Sequence, residues 1–155
     1  MAKYGVSFLA FATTTANKTG AKLTSITKFP WEIVELAMYG AGSVAAADIQ
    51  HQASFAFITA AGAGTPGSSP TPERLSQRSP VASSTCGIAY SAEPTTYSAV
   101  SPVMFSFNQR GGMRWAVPQG EGLANTFEQT SMHGGLRVLS SAVGSVDGMM
   151  NWWES

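Results

Sequence analysis

Apolar and polar residues alternate with period two over much of this chain, the pattern of half-buried β-strands. Tyr4 to Ala12 carries aromatic and β-branched residues and runs into Thr13-Thr14-Thr15. Lys22 to Thr27 alternates loosely between polar and apolar positions. Gln52 to Thr59 puts Ala53, Phe55 and Phe57 on one face and Ser54, Ala56 and Ile58 on the other. Val103 to Phe107 and Met113 to Val117 flank Asn108-Gln109-Arg110-Gly111-Gly112. Two β-prone runs around a glycine-bearing turn predict a hairpin. With Leu123 to Phe127, Leu136 to Leu139, Met149 to Glu154 and a short run at Ile88, about eight to ten strands are expected.

Residues 30–40 fit two patterns. Pro30 at a first helical position, Glu32 and Glu35 early, and Gly40 past the end spell a three-turn helix. As a strand, the segment places Val34, Leu36 and Met38 on one face and Trp31, Ile33 and Tyr39 on the other, so it needs burial on both sides. We take the strand, because many short strands punctuated by Gly and Pro argue for an all-β domain. Residues 60–84 differ in kind. Ala60 to Pro72 and then Pro80 are too rich in Gly, Ser and Pro for a ladder or a helix. A loop of that length is disordered or held from outside its own domain, and an ordered arm gripped by neighbouring chains is the expectation.

Composition sharpens this picture. Charged residues are 12% of the 155, and nine Lys plus Arg balance nine Asp plus Glu. A folded chain of this mass exposes roughly 7,500 Å², so the charges are sparse and no net repulsion keeps copies apart. Either neighbours cover much of the surface, or the 33 Ser and Thr residues solvate it. We favour the first. Without a basic excess, nucleic acid is not the expected partner. Apolar stretches of about eight residues fall short of the roughly 20 needed to span a bilayer. Met1 to Ala12 imitates a secretory signal only loosely, with a single Lys3 and a Thr run behind it. Cys86 alone supports neither a disulfide framework nor a multi-cysteine zinc site.

Catalytic patterns are weak. Gly62-Ala63-Gly64-Thr65-Pro66-Gly67 matches a dinucleotide-binding glycine pattern, but Ser68-Ser69-Pro70-Thr71-Pro72 forbids the helix that must follow. His51 and His133 have no nucleophile-elbow serine, and Glu32, Glu35 and Glu121 show no paired spacing. Asn17-Lys18-Thr19 is a formal glycosylation sequon, relevant only to a secreted chain. We expect no enzyme, no metal and no cofactor.

Two features suggest an interface instead. Lys3, Lys18, Lys22 and Lys28 fall in the first 30 residues, which hold no acid. They read either as a solvated strand edge or as a basic strip for an acidic surface. Trp152 and Trp153 are adjacent, so on a strand they face opposite ways, and one of them either meets a partner or a covering loop or enters a second core layer.

An ordered series of segments carries a resemblance. It runs through Glu32 to Ala41, the arm with Thr71-Pro72-Glu73-Arg74-Leu75, Ser91 to Thr95, Phe107 to Pro118, and the closing Trp152-Trp153-Glu154. In pattern and order this resembles the capsid cement or decoration proteins of tailed bacteriophages, which have a jelly-roll fold. The resemblance implies a single domain over residues 1–155, a jelly-roll-like β-sandwich of about eight strands with an extended arm at about 60–84. It also implies a virion location on the outer capsid surface, the major capsid protein as partner, and a homo-dimer or homo-trimer. Candidate interface residues are Lys3, Lys18, Lys22, Lys28, Pro66, Pro70, Pro72, Arg74, Arg78, Arg110, Arg114, Trp152 and Trp153. Arg110 and Arg114, beside the expected hairpin turn, either pair with capsid carboxylates or keep the loop wet. The alternatives are a tail or head-fibre component that binds host glycans, and a hydrolase built on His133 or Glu121.

Overall fold

The computed structural model describes residues 1–25, 30–41, 48–59, 64–124 and 133–154. Among these the chain forms eleven strands: β1 Ala2–Thr13, β2 Lys18–Thr24, β3 Trp31–Gly40, β4 Gln50–Ile58, β5 Glu73–Arg74, β6 Thr85–Ile88, β7 Val103–Asn108, β8 Gly112–Ala116, β9 Leu123–Ala124, β10 His133–Ser140 and β11 Gly144–Glu154. They make two antiparallel sheets. The first runs β5-β1-β11-β3-β8, with β9 also on β3, and the second runs β6-β2-β10-β4-β7. One apolar core lies between them, drawn from both: Tyr4, Trp31, Leu36, Met150 and Trp152 from the first sheet, and Leu23, Phe55, Leu136 and Val138 from the second. Four ladders nest inside one another along the chain. Tyr4 faces Trp152, Ala21 faces Leu136, Leu36 faces Trp115 and Ala53 faces Phe105.

Residues 31–40 are a strand buried on both sides, Glu35 and Ala37 included, but its apolar residues are not divided between the faces as plain alternation expects. Asn151 of β11 opposes Glu35 while Trp152 opposes Ile33, so Val34 is an inserted residue. The bulge reverses the phase of the alternation. Trp31 and Ile33 on one side of it, and Leu36 and Met38 on the other, therefore reach the same core. A second bulge keeps β1 in step. Phe8 opposes Gly148 and Phe11 opposes Val146, leaving Leu9 and Ala10 against Asp147 alone. Ala10 takes a left-handed conformation (φ 49°) and its N–H donates to Asp147 Oδ1 at 2.7 Å. Leu9 is thrown outward, 78% exposed, so that Phe8 and Phe11 both stay inside. The Phe8 ring fills the space where Gly20 and Gly148 would carry a Cβ, which explains small residues at both places.

The expected hairpin is a corner instead. β7 pairs with β4 in the second sheet, whereas β8 pairs with β3 in the first. The turn between them is tight, with Gly111 N–H on the Asn108 carbonyl at 2.8 Å and Arg110 N–H on Asn108 Oδ1 at 3.0 Å. It is also docked, since Gln109 N–H donates to the Ile49 carbonyl at 2.9 Å and Gly40 N–H to that of Gly111 at 3.0 Å. Turn chemistry specifies a reversal, and here β3 and β4 supply better-placed ladder partners than the two runs offer each other.

Residues 89–102 explain why Ser54, Ala56 and Ile58, on the outer side of β4, are buried. This stretch crosses the second sheet, with a bridge from Tyr97 to Ile58 and a bond from Ser98 N–H to the Phe57 carbonyl at 2.8 Å. The Tyr97 hydroxyl meets Thr19 Oγ1 at 2.6 Å, and the Arg137 guanidinium lies 4.1 Å from its ring centroid. Glu93 Oε2 accepts from Thr19 N–H at 2.7 Å.

Candidate functional site

The arm can be followed from residue 64, and it lies on its own domain. It was expected to form no ladder and to be gripped from outside. In the structure, Glu73–Arg74 pairs with Gly5 and Tyr4 at the free edge of β1, and Leu75 N–H donates to the Lys3 carbonyl at 3.0 Å. Thr65 bridges to Ala92 and Ser68 to Ile88. The Tyr4 hydroxyl donates to the Pro80 carbonyl at 3.0 Å, and the Cys86 thiol to that of Pro70 at 3.2 Å. Short pieces between prolines suffice, because each needs only one or two backbone bonds. Gly62 lies outside the described residues.

The arm is latched at Glu154. This carboxylate ends β11 on its inner, buried side. Its Oε2 accepts Ser83 N–H at 2.7 Å, and its Oε1 accepts Ser84 N–H at 3.2 Å, Trp152 Nε1 at 2.9 Å and the Ser84 hydroxyl. Four neutral donors replace the water a buried carboxylate loses. Neither Glu154 nor the two serines stood out in the sequence. A carboxylate beside a tryptophan pair was the available signal, and it was read only for the aromatics. Beside the latch is a pocket of about 570 Å³, lined by Tyr4, Arg78, Ser79, Pro80, Val81, Ser83 and others.

The lysines do not form a strip. Lys3 is on the first sheet, 3.8 Å from Glu35, while Lys18 is on the second, 3.5 Å from Glu93 and 3.2 Å from the Tyr90 carbonyl. Their acids come from distant sequence, which the first 30 residues alone conceal. Lys22 is 6% exposed, and burial lowers its ammonium pKa, so it is no docking residue. Lys28 lies outside the described residues. Glu35 joins three partners: Arg114 Nε at 2.6 Å, Asn151 Nδ2 at 2.9 Å, and Lys3. Burial pushes its carboxyl upward, but the bonds from Asn151 and Arg114 and the charges of Arg114 and Lys3 outweigh it and hold the pKa below the usual value. Arg110 forms an exposed pair with Asp48 at 3.7 Å.

Trp152 is fully buried and belongs to the core, stacked obliquely near Tyr4 at 6.2 Å, so it is not an interface residue. Trp153 points to the other side of the first sheet and is half-buried. Pro72 is buried and Pro66 and Pro70 half-buried, so the prolines pack the arm down. Arg74 and Arg78 are exposed. Of the thirteen candidates, Lys3 and Arg114 converge on Glu35, while Arg78 lines the pocket and Arg74 is bonded to its lining residue Ser79.

Side chains with catalytic chemistry are spent on structure. His51 is buried against Phe107 with Nδ1 2.7 Å from Ser140 Oγ, and burial lowers its pKa. His133 contacts Thr24 Oγ1 at 3.0 Å, and burial with the charge of Lys22 lowers its pKa to about 4. Burial pushes the Cys86 thiol up to about 11, which removes the nucleophilic thiolate. Among the described residues no group of His, Cys, Asp and Glu is arranged to hold a metal ion, and no helix is long and apolar enough to cross a membrane. A scan of protein-family models and searches of curated proteins and of solved structures find no match to this chain.

Proposed function

We propose that this chain is a structural protein of a viral particle, a jelly-roll cement protein on the outer surface of a tailed-phage capsid that ties neighbouring major capsid subunits together. The observation that carries this is the nesting of the four ladders. A chain doubled on itself about its middle, with its paired runs falling alternately in two sheets, supports the jelly-roll reading. Jelly rolls recur in capsid and lectin domains, and fold alone does not choose between them. The sparse charge and the outward apolar residues favour the shell. Met104 is 60% and Met113 40% exposed, on the strands that end the two sheets at the β7–β8 corner. In this reading the work is done by buried area at joints between subunits, with copies arranged as dimers or trimers about local axes.

Protein sequencing and labelled-antibody microscopy of purified particles test the assignment. The chain is expected in many copies per head. Its absence from particles, together with a monodisperse monomer at high concentration, overturns the reading. Trp153 favours one second reading, a glycan-binding tail or head-fibre component, because an outward indole can stack on a sugar. Saturable hits on a glycan array, lost in Trp153→Ala, would select it.

A further inference from the structure

Arg137 is half-buried against the Tyr97 ring, and six other cations divide by whether they meet a carboxylate. Lys3, Lys18, Arg110 and Arg114 each meet a carboxylate of their own chain. Arg74 and Arg78 form no ion pair among the described residues, and both are exposed. They flank one feature. Arg78 lines the 570 Å³ pocket, and Arg74, which sits opposite Tyr4 in the ladder, donates from Nη1 to the carbonyl of Ser79 on the same wall. An apolar group accompanies the charge, since Val81 on the pocket wall is 66% exposed, and Leu75, next to Arg74, lines a neighbouring cavity along the same arm. The Glu154 carboxylate on the pocket floor is occupied by its four donors. A rigid wall, two unneutralised guanidinium groups and exposed aliphatic side chains suit an extended ligand that alternates carboxylates with apolar residues.

We infer that the arm and this pocket form the docking site for an extended, acidic peptide segment of the companion shell protein, an inference that rests on the particle reading for its partner. Arg74 and Arg78 grip its carboxylates, while the exposed Val81 and Pro80 receive its apolar side chains. The latch at Glu154 holds the arm so that little ordering remains to be done on binding.

Fluorescence anisotropy with a labelled octapeptide alternating Glu and Val, and the same peptide with Lys for Glu, tests this on the full chain. The acidic peptide should bind and weaken with salt, and the basic one should not. The double variant Arg74→Gln/Arg78→Gln should lose about tenfold or more in affinity at low salt while melting like the parent. Val81→Ser should weaken binding at every salt concentration. Equal binding of the two peptides, or binding indifferent to the double variant, overturns the site. A single-stranded oligonucleotide that binds with the same arginine dependence while the peptide does not also overturns it. Should the double variant load onto particles as the parent does, the site fails and the cement reading stands. Should the parent be absent from particles, that reading fails, and the peptide titration still decides the pocket.

Discussion

Two stretches of the same long connection between β4 and β7 are held to the body by backbone bonds, but differ in how far their side chains join in. The arm, residues 64–84, is fastened through its backbone and by one carboxylate from β11, while Arg74, Leu75, Arg78 and Val81 face outward. The cover, residues 89–102, also has backbone bonds, from Ala89, Tyr90 and Ser98, but adds the side chains of Tyr97 and Glu93, which reach Thr19 on the second sheet. Where backbone bonds suffice, side chains are left for others, whereas side chains added as anchors are used up. Sequence composition makes both look like the same polar loop.

Glu154→Ala should break this contrast most. It leaves Ser83 N–H, Ser84 N–H and Trp152 Nε1 without their acceptor, a cost of about 3 kcal/mol, or about 10 °C in Tm. Limited trypsin digestion should then cut after Arg74 or Arg78 well before Arg137. Unchanged melting and unchanged cleavage order would show that the arm is held by something else.

Acid acts next, and on the sheet beneath the cover. His133 has a folded pKa of about 4 against an unfolded value of about 6.5. Between those values the unfolded chain binds more protons, so the stabilisation is complete above about pH 6.5 and is lost as pH falls toward 4. Denaturant titrations should show a loss of about 2–3 kcal/mol from His133 over that window. His51 contributes in the same direction. His133→Gln should flatten the profile, and an equally steep profile in that variant would exclude His133 as its source.

Tyr97→Phe keeps the ring beneath Arg137 and the backbone bridge to Ile58 but removes the hydroxyl from Thr19, which should cost about 1 kcal/mol in thermal unfolding without opening the arm to protease. Arg110→Ala should be the smallest, within about 0.5 kcal/mol, because Arg110 and Asp48 are both well exposed. A larger loss there would mean that the corner between β7 and β8 depends on the ion pair rather than on the backbone bonds of Gln109 and Gly111.

The strands were legible because alternation is a local property, written wherever one face is buried. Even β3, which also spells a helix, was readable from its company. Which of its residues share the core was not, because the residue that reverses its phase, Val34, is identified only by the register of β11. The turn at Asn108–Gly112 was equally legible as a reversal and equally silent about pairing, since partners are chosen among strands far apart in the chain. The candidate site shows the same division. Arg74 and Arg78 could be named from the arm, but Lys3 and Lys18 looked like their equals until Glu35 and Glu93 closed on them from distant strands.

Sequence by itself therefore determined an all-β chain, its turns, its low charge and its proline-rich connection, all consequences of residue chemistry within a few positions. Tertiary structure alone decided which of two adjacent tryptophans is core, which cations are neutralised, and that Glu154 ties the arm to its own body. Each of those depends on what a side chain meets across tens of residues, and burial turns such meetings into energy by stripping away the water that would otherwise make them equivalent.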